Sequence, residues 1–169
     1  MFEDHYWIIA GDETQVWSSR RVGYYPVDDV DYVVWLGETF IGPDGGEYPN
    51  KPTHIANEQE LSDVLETQGL QGPIVKPKQV YAEATRRKML VTGHADIDDF
   101  NEAIMRGLRD AGRLNNKQAS GATLTTAEQA RKIQLEQIDA AFDAIDAKAD
   151  ALIAMSPIPI DYKDDVHWT

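Results

Sequence analysis

The chain has 169 residues, 42% apolar and 27% charged, which is enough for one domain or two small ones with at least one real core. Its 29 Asp and Glu against 16 Lys and Arg give a formal charge of −13, which repels phosphate backbones and argues against nucleic-acid partners. Cysteine is absent, so disulfides and thiolate metal sites are excluded, and no apolar run approaches the roughly 18 residues of a membrane span.

MFEDHYW at the start is acidic and lacks the basic region and long apolar run of a secretion signal, so a soluble protein without an export signal is expected. Tyr6–Ala10 and Gln15–Ser19 then read as two short strands, with the turn signal Gly11-Asp12-Glu13-Thr14 between them. Val22 to Val27 adds a third, kept at an edge or ended by Pro26. Asp28 is placed to cap a short helix through its side-chain oxygen, with Asp31 in the first turn and an apolar face from Val30, Val33, Val34 and Trp35.

Residues 37–53 hold four glycines and three prolines and are expected to be a loop. Asn57-Glu58-Gln59-Glu60 has the form of a capping box opening a short helix, with Leu61, Val64 and Leu65 on its apolar face and Gly69 ending it. QGPIVKPK, residues 71–78, has the composition of a linker.

The remainder reads as helical. Val80 to Val91 forms one helix, stopped by Gly93. A second, capped by Asp96, carries Ile97, Phe100, Ile104, Leu108 and Ala111 at steps of three or four. A polar connection over 112–123 leads to the capping box Thr125-Thr126-Ala127-Glu128, which opens the longest helix, to about Met155. In that helix Leu135, Ile138, Phe142, Ile145, Ala149 and Leu152 are spaced 3, 4, 3, 4, 3, three heptads of a seam. Two partners for the seam stay open: the two preceding helices of the same chain, or copies of itself. Asp139 and Asp146 flank one edge, a pattern that does not prescribe a dimer. SPIPIDYKDDVHWT cannot continue the helix because of Pro157 and Pro159, and is expected to be an extended tail.

The expected fold class is α+β: a small N-terminal β-hairpin/helix module over 1–70, a linker at 71–78, a helical region over 79–156 with one long heptad-patterned helix, and a tail over 157–169.

Catalytic templates find little purchase. The histidines at 5, 54, 94 and 167 lack the spacing that puts two imidazoles on one metal. Asp96, Asp98 and Asp99 lack the order of an EF-hand loop and read as a helix cap, and PDGGE at 43–47 reads as an exposed turn. No GxSxG, GxxxxGK[ST] or GxGxxG occurs, and Ser18-Ser19 has no evident base beside it. The two short basic clusters, Arg20-Arg21 and Arg86-Arg87-Lys88, read as solvated surface charge. No catalytic residue, cofactor or metal is expected.

YWIIAGDETQVWSSRRVGYYPVDDVDYVVWL, followed by PTHIANEQELSDVL, resembles the N-terminal module of small proteins encoded among the tail and tail-fibre genes of tailed bacteriophages. The likeness rests on Trp7, Val16-Trp17-Ser18-Ser19, Tyr25-Pro26-Val27-Asp28-Asp29, Trp35-Leu36, Pro52-Thr53-His54-Ile55, Glu60-Leu61 and Val64-Leu65. It covers roughly residues 5–70 and departs at the inserted GETFIGPDGGEY, which becomes a candidate contact surface. The resemblance implies a non-enzymatic structural or adaptor subunit of the virion, tail- or fibre-associated, made in the host cytoplasm. Its partners would be other tail or fibre proteins and copies of itself, a trimer by analogy with fibres. The alternatives are a fibre-assembly chaperone and, from another class, a hydrolase with a dispersed site. Neither nucleic acid nor membrane is an expected partner. Most of the N-terminal aromatics are expected in a core, each worth on the order of 2–3 kcal/mol when fully buried. Candidate partner contacts are the seam residues Leu135, Ile138, Phe142, Ile145 and Leu152, together with Tyr48 and Trp168 in segments expected to be flexible.

Overall fold

Strand β1 (Tyr6–Ile9) sends Tyr6 and Ile8 to one side and Trp7 to the other, because successive side chains of a strand alternate. β2 (Gln15–Ser18) divides Val16 and Trp17 in the same way. A computed structural model describes residues 4–169 and divides the chain into two compact units, Met1–Val75 and Lys76–Thr169. The class is α+β, with a strand-containing N-terminal unit followed by helices.

In the first unit β1 and β2 pair antiparallel with Trp7 opposite Trp17, and β3 (Gly23–Pro26) adds to β2. Helix α1 (Val30–Leu36) lays Tyr32 and Trp35 on the Tyr6, Ile8 and Val16 face. Its cap is Asp29 rather than the expected Asp28. The Asp29 carboxylate accepts from the Asp31 and Tyr32 amides and from Arg21, and the start at Val30 is the register that turns Tyr32 and Trp35 inward.

The glycine-rich segment 37–53 is not an unstructured loop. β4 (Thr39–Ile41) and β5 (Glu47–Pro49) form an antiparallel hairpin, and β6 (Thr53–Ile55) pairs parallel to β1, giving the sheet order β3-β2-β1-β6. Helix α2 (Glu58–Thr67), capped by Asn57, covers the other face of the sheet with Leu61 and Leu65 against Trp7, Trp17 and Ile55. The sheet is therefore buried on both sides, and that is the use of the crowded N-terminal aromatics.

In the second unit α3 (Pro77–Thr92) begins inside the segment expected to be a linker, because a proline at the first helical position starts a helix as readily as it ends one. α4 (Ile97–Ala119) is capped by Asp96 and runs through most of the connection expected at 112–123. Leu114 is fully buried and Lys117 reaches Glu128 at 2.6 Å, contacts that hold the extra two turns despite Asn115 and Asn116. α5 (Thr126–Ile153) opens on the Thr125–Glu128 capping box.

The tail is not extended. It folds back with Tyr162 buried, Arg87 donating to the Lys163 carbonyl and pairing with Asp165, and Lys148 donating to the Thr169 carbonyl. A short 3-10 turn, Asp165–His167, completes it. No helix among the described residues is long and apolar enough to cross a membrane.

Candidate functional site

The heptad seam of α5 lies against the other two helices unevenly. Ala149 and Leu152 are buried, whereas Leu135, Ile138, Phe142 and Ile145 are half-buried. The Phe142 ring packs on Phe100 of α4 at 6.1 Å, and Lys88 of α3 lies 5.4 Å from its centroid. Over the N-terminal half of α5 the helices leave a groove of about 680 Å³. Its apolar lining comes from Val91 of α3, Ile104 and Leu108 of α4, and Leu135, Ile138 and Phe142 of α5. Of the α4 residues expected to face the core, Phe100 is buried but Ile97 and Leu108 are 44% and 63% exposed.

Ion pairs are unevenly tight across this unit. Burial pushes the Glu83 carboxyl up, but Arg86 and Arg87, at 2.6 and 2.8 Å, outweigh it and hold it below the usual range. Lys88 reaches Asp146 at 2.6 Å, so the second basic cluster of the sequence is occupied by internal carboxylates. Lys117 and the Thr125 amide bring the Glu128 carboxyl down to about 2. By contrast, Arg106 and Arg113 on α4 meet Glu102 and Asp110 only at 3.7 Å and stay 62% exposed.

Neither aromatic singled out as a mobile contact residue is loose. Trp168 is half-buried, donates its indole N–H to the Tyr162 carbonyl at 2.6 Å and sits under the Arg87 guanidinium at 4.8 Å. The Tyr48 hydroxyl donates to Asp44, and a Cβ at Gly42 would lie 2.7 Å from the Tyr48 ring, so glycine is what lets the ring lie across the hairpin. Tyr48 is nonetheless 43% exposed.

The apolar face expected of α1 from Val30, Val33, Val34 and Trp35 is split: Trp35 is buried with Tyr32, and the three valines face outward. Val30, Val33 and Val34 are 71%, 52% and 57% exposed, and Ile41 on the hairpin is 70% exposed. The signal was available: apart from Asp31, VDYVVWL is apolar around the whole helix, and a helix lying on a sheet covers only one of its sides.

Ingredients of hydrolytic chemistry are present but not assembled. Ser18 donates to the Asp4 carboxylate at 2.8 Å, yet Ser18 is wholly buried, and the His5 ring turns instead to the Thr53 hydroxyl at 2.8 Å. Among the described residues no group of three or more His, Cys, Asp or Glu converges as a metal site would. No family model, curated protein or solved structure matches this chain.

Proposed function

We propose that this chain is a non-enzymatic structural or adaptor protein of a bacteriophage tail or tail fibre, working through protein–protein surfaces. The observation that carries the reading is the half-open groove, where three large apolar side chains of a heptad seam remain partly uncovered. Apolar surface held open by well-capped helices is a feature of association surfaces, since a monomer gains nothing from leaving it wet. The likeness of residues 5–70 to small tail and tail-fibre proteins supplies the setting: a virion component that associates with other tail proteins and with itself, as a trimer by analogy with fibres.

The test is quantitative mass spectrometry of gradient-purified virions from infected cells. A constant copy number per particle supports a structural subunit. Abundance in the lysate with absence from particles turns the reading to a fibre-assembly chaperone.

A further inference from the structure

The charge of this chain is segregated. Residues 1–75 carry 3 Lys and Arg against 14 Asp and Glu, a net −11, while residues 76–169 carry 13 against 15, a net −2. Within the first unit the asymmetry sharpens around the outward valine face of α1. From Val22 to Asn50 there are six carboxylates and no Lys or Arg, and Arg21 just before pairs with two of the six, Asp29 and Asp31, leaving four. That segment exposes Val30, Val33 and Val34 on α1 and Phe40, Ile41 and Tyr48 on the hairpin. The two elements are held together at their base. Asn50 donates its amide to the Glu38 carbonyl at 3.1 Å and its side chain to the Trp35 carbonyl at 2.9 Å. Phe40 pairs with Tyr48, so these two share one side of the hairpin and Ile41 takes the other, and the apolar face with carboxylates around it is the valine face of α1.

The second unit carries the complement. Ile97, Asn101, Met105, Leu108 and Gly112 recur at steps of three and four, so they form one stripe of α4. Ile97, Met105 and Leu108 are 44%, 54% and 63% exposed. Beside this stripe run Arg106, Arg109 and Arg113. Arg109 donates to the Met105 carbonyl of its own helix, Arg106 meets Glu102 at 3.7 Å, and Arg113 meets Asp110 and Glu128 of α5, each at 3.7 Å. In a chain of −13, this is an apolar stripe bordered by loosely held arginines.

We propose that the acidic valine face of α1 docks on the α4 stripe of a second copy of this chain, a head-to-tail contact. Apolar side chains supply the non-directional attraction, and opposite rims select the partner and orientation. Because the two faces differ, each copy keeps one of each free, so the contact extends into a ring or a filament rather than ending at a two-fold dimer. Leu108 borders both this stripe and the groove over the α5 seam, whereas Arg106, Arg109 and Arg113 line only the stripe's edge and separate the two contacts.

The test uses two full-length variants. Val33→Asp/Val34→Asp spoils the first face, and Arg106→Glu/Arg109→Glu/Arg113→Glu reverses the second. Sedimentation velocity on wild type should show a mass that rises with concentration and falls with added salt. Each variant alone should associate at least about tenfold more weakly than wild type, and their equimolar mixture should be heavier than either, because one supplies the intact first face and the other the intact second. Seam association would persist in each variant alone, which separates failure of this contact from failure of the seam. Circular dichroism checks folding, and Arg106→Gln/Arg109→Gln/Arg113→Gln repeats the test with milder changes. A mixture no heavier than its components, or a wild-type mass indifferent to salt, overturns the proposal.

Discussion

Ser18 is wholly buried, and its hydroxyl both donates to Asp4 at 2.8 Å and accepts from the Arg21 amide at 3.0 Å. Ser19 takes the His5 amide at 3.0 Å, so the Ser-Ser pair ties the entry of β1 to the end of β2. Ser18→Ala removes the acceptor of the part-buried Arg21 amide and one of the donors to Asp4, which keeps Ser19 and the Arg20 amide, and should cost about 1–2 kcal/mol. Chemical denaturation measures it, and a loss below about 0.5 kcal/mol would show the clasp to be idle. His5 beside it, with Trp7 and Trp35 at 5.0 and 5.6 Å, is a pH-sensitive residue. Burial lowers its pKa from the ordinary 6.5, against an opposing pull from Asp4. The folded state therefore favours neutral imidazole. Its contribution is complete above about 6.5, and it is lost as the pH falls from there through the lower folded value, because the unfolded chain takes up the proton first. An NMR titration should place the His5 midpoint below 6.5; a midpoint at or above that value contradicts the assignment.

At the scale of the element, α5 shows how one regular pattern serves two surroundings. Ala149 and Leu152 are enclosed, while Leu135, Ile138, Phe142 and Ile145 remain half-buried along the same seam. Replacing Ile138 and Ile145 by Asp puts two carboxylates into it, each costing several kcal/mol where no partner or water reaches. If copies associate through the seam, the double variant should become a soluble monomer that keeps its helical circular dichroism. If α3 and α4 alone use it, the helical unit should unfold instead. Light scattering alongside the spectrum separates the two. A wild type already monomeric at the concentrations found in an assembling particle removes the seam oligomer.

The whole molecule is two units, each with its own elements and core residues, meeting in sequence at Val75 and Lys76. Segments between cores open more readily than elements inside them, so limited digestion with a protease of broad specificity should cut first near Lys76 or Lys78 and release two resistant fragments. Edman sequencing or mass spectrometry locates the first cut. Cuts appearing first within 130–150 would mean that α5 frays before the junction does.

Signals that act within four residues along the chain are readable without coordinates. Thr125 with Glu128, Asp96 and Asn57 mark where three helices begin, because a cap and the amides it serves are sequence neighbours. The strands at Tyr6 and Gln15 follow equally from β-branched and aromatic runs beside a turn. What lies beyond that range is set by partners far away in sequence. Thr53–Ile55 is a strand because β1, more than forty residues earlier, offers it an edge, and three residues between prolines and an asparagine carry no strand signal of their own. The last turns of α4 exist because Leu114 and Lys117 find α5, and the tail turns back because Arg87 and Lys148 hold its carbonyls. The heptad spacing of α5 dictates that a seam exists, since helical periodicity is local. Which half of the seam is covered, and that α1 turns three valines outward, depends on where other elements stop, and only packing in three dimensions settles that.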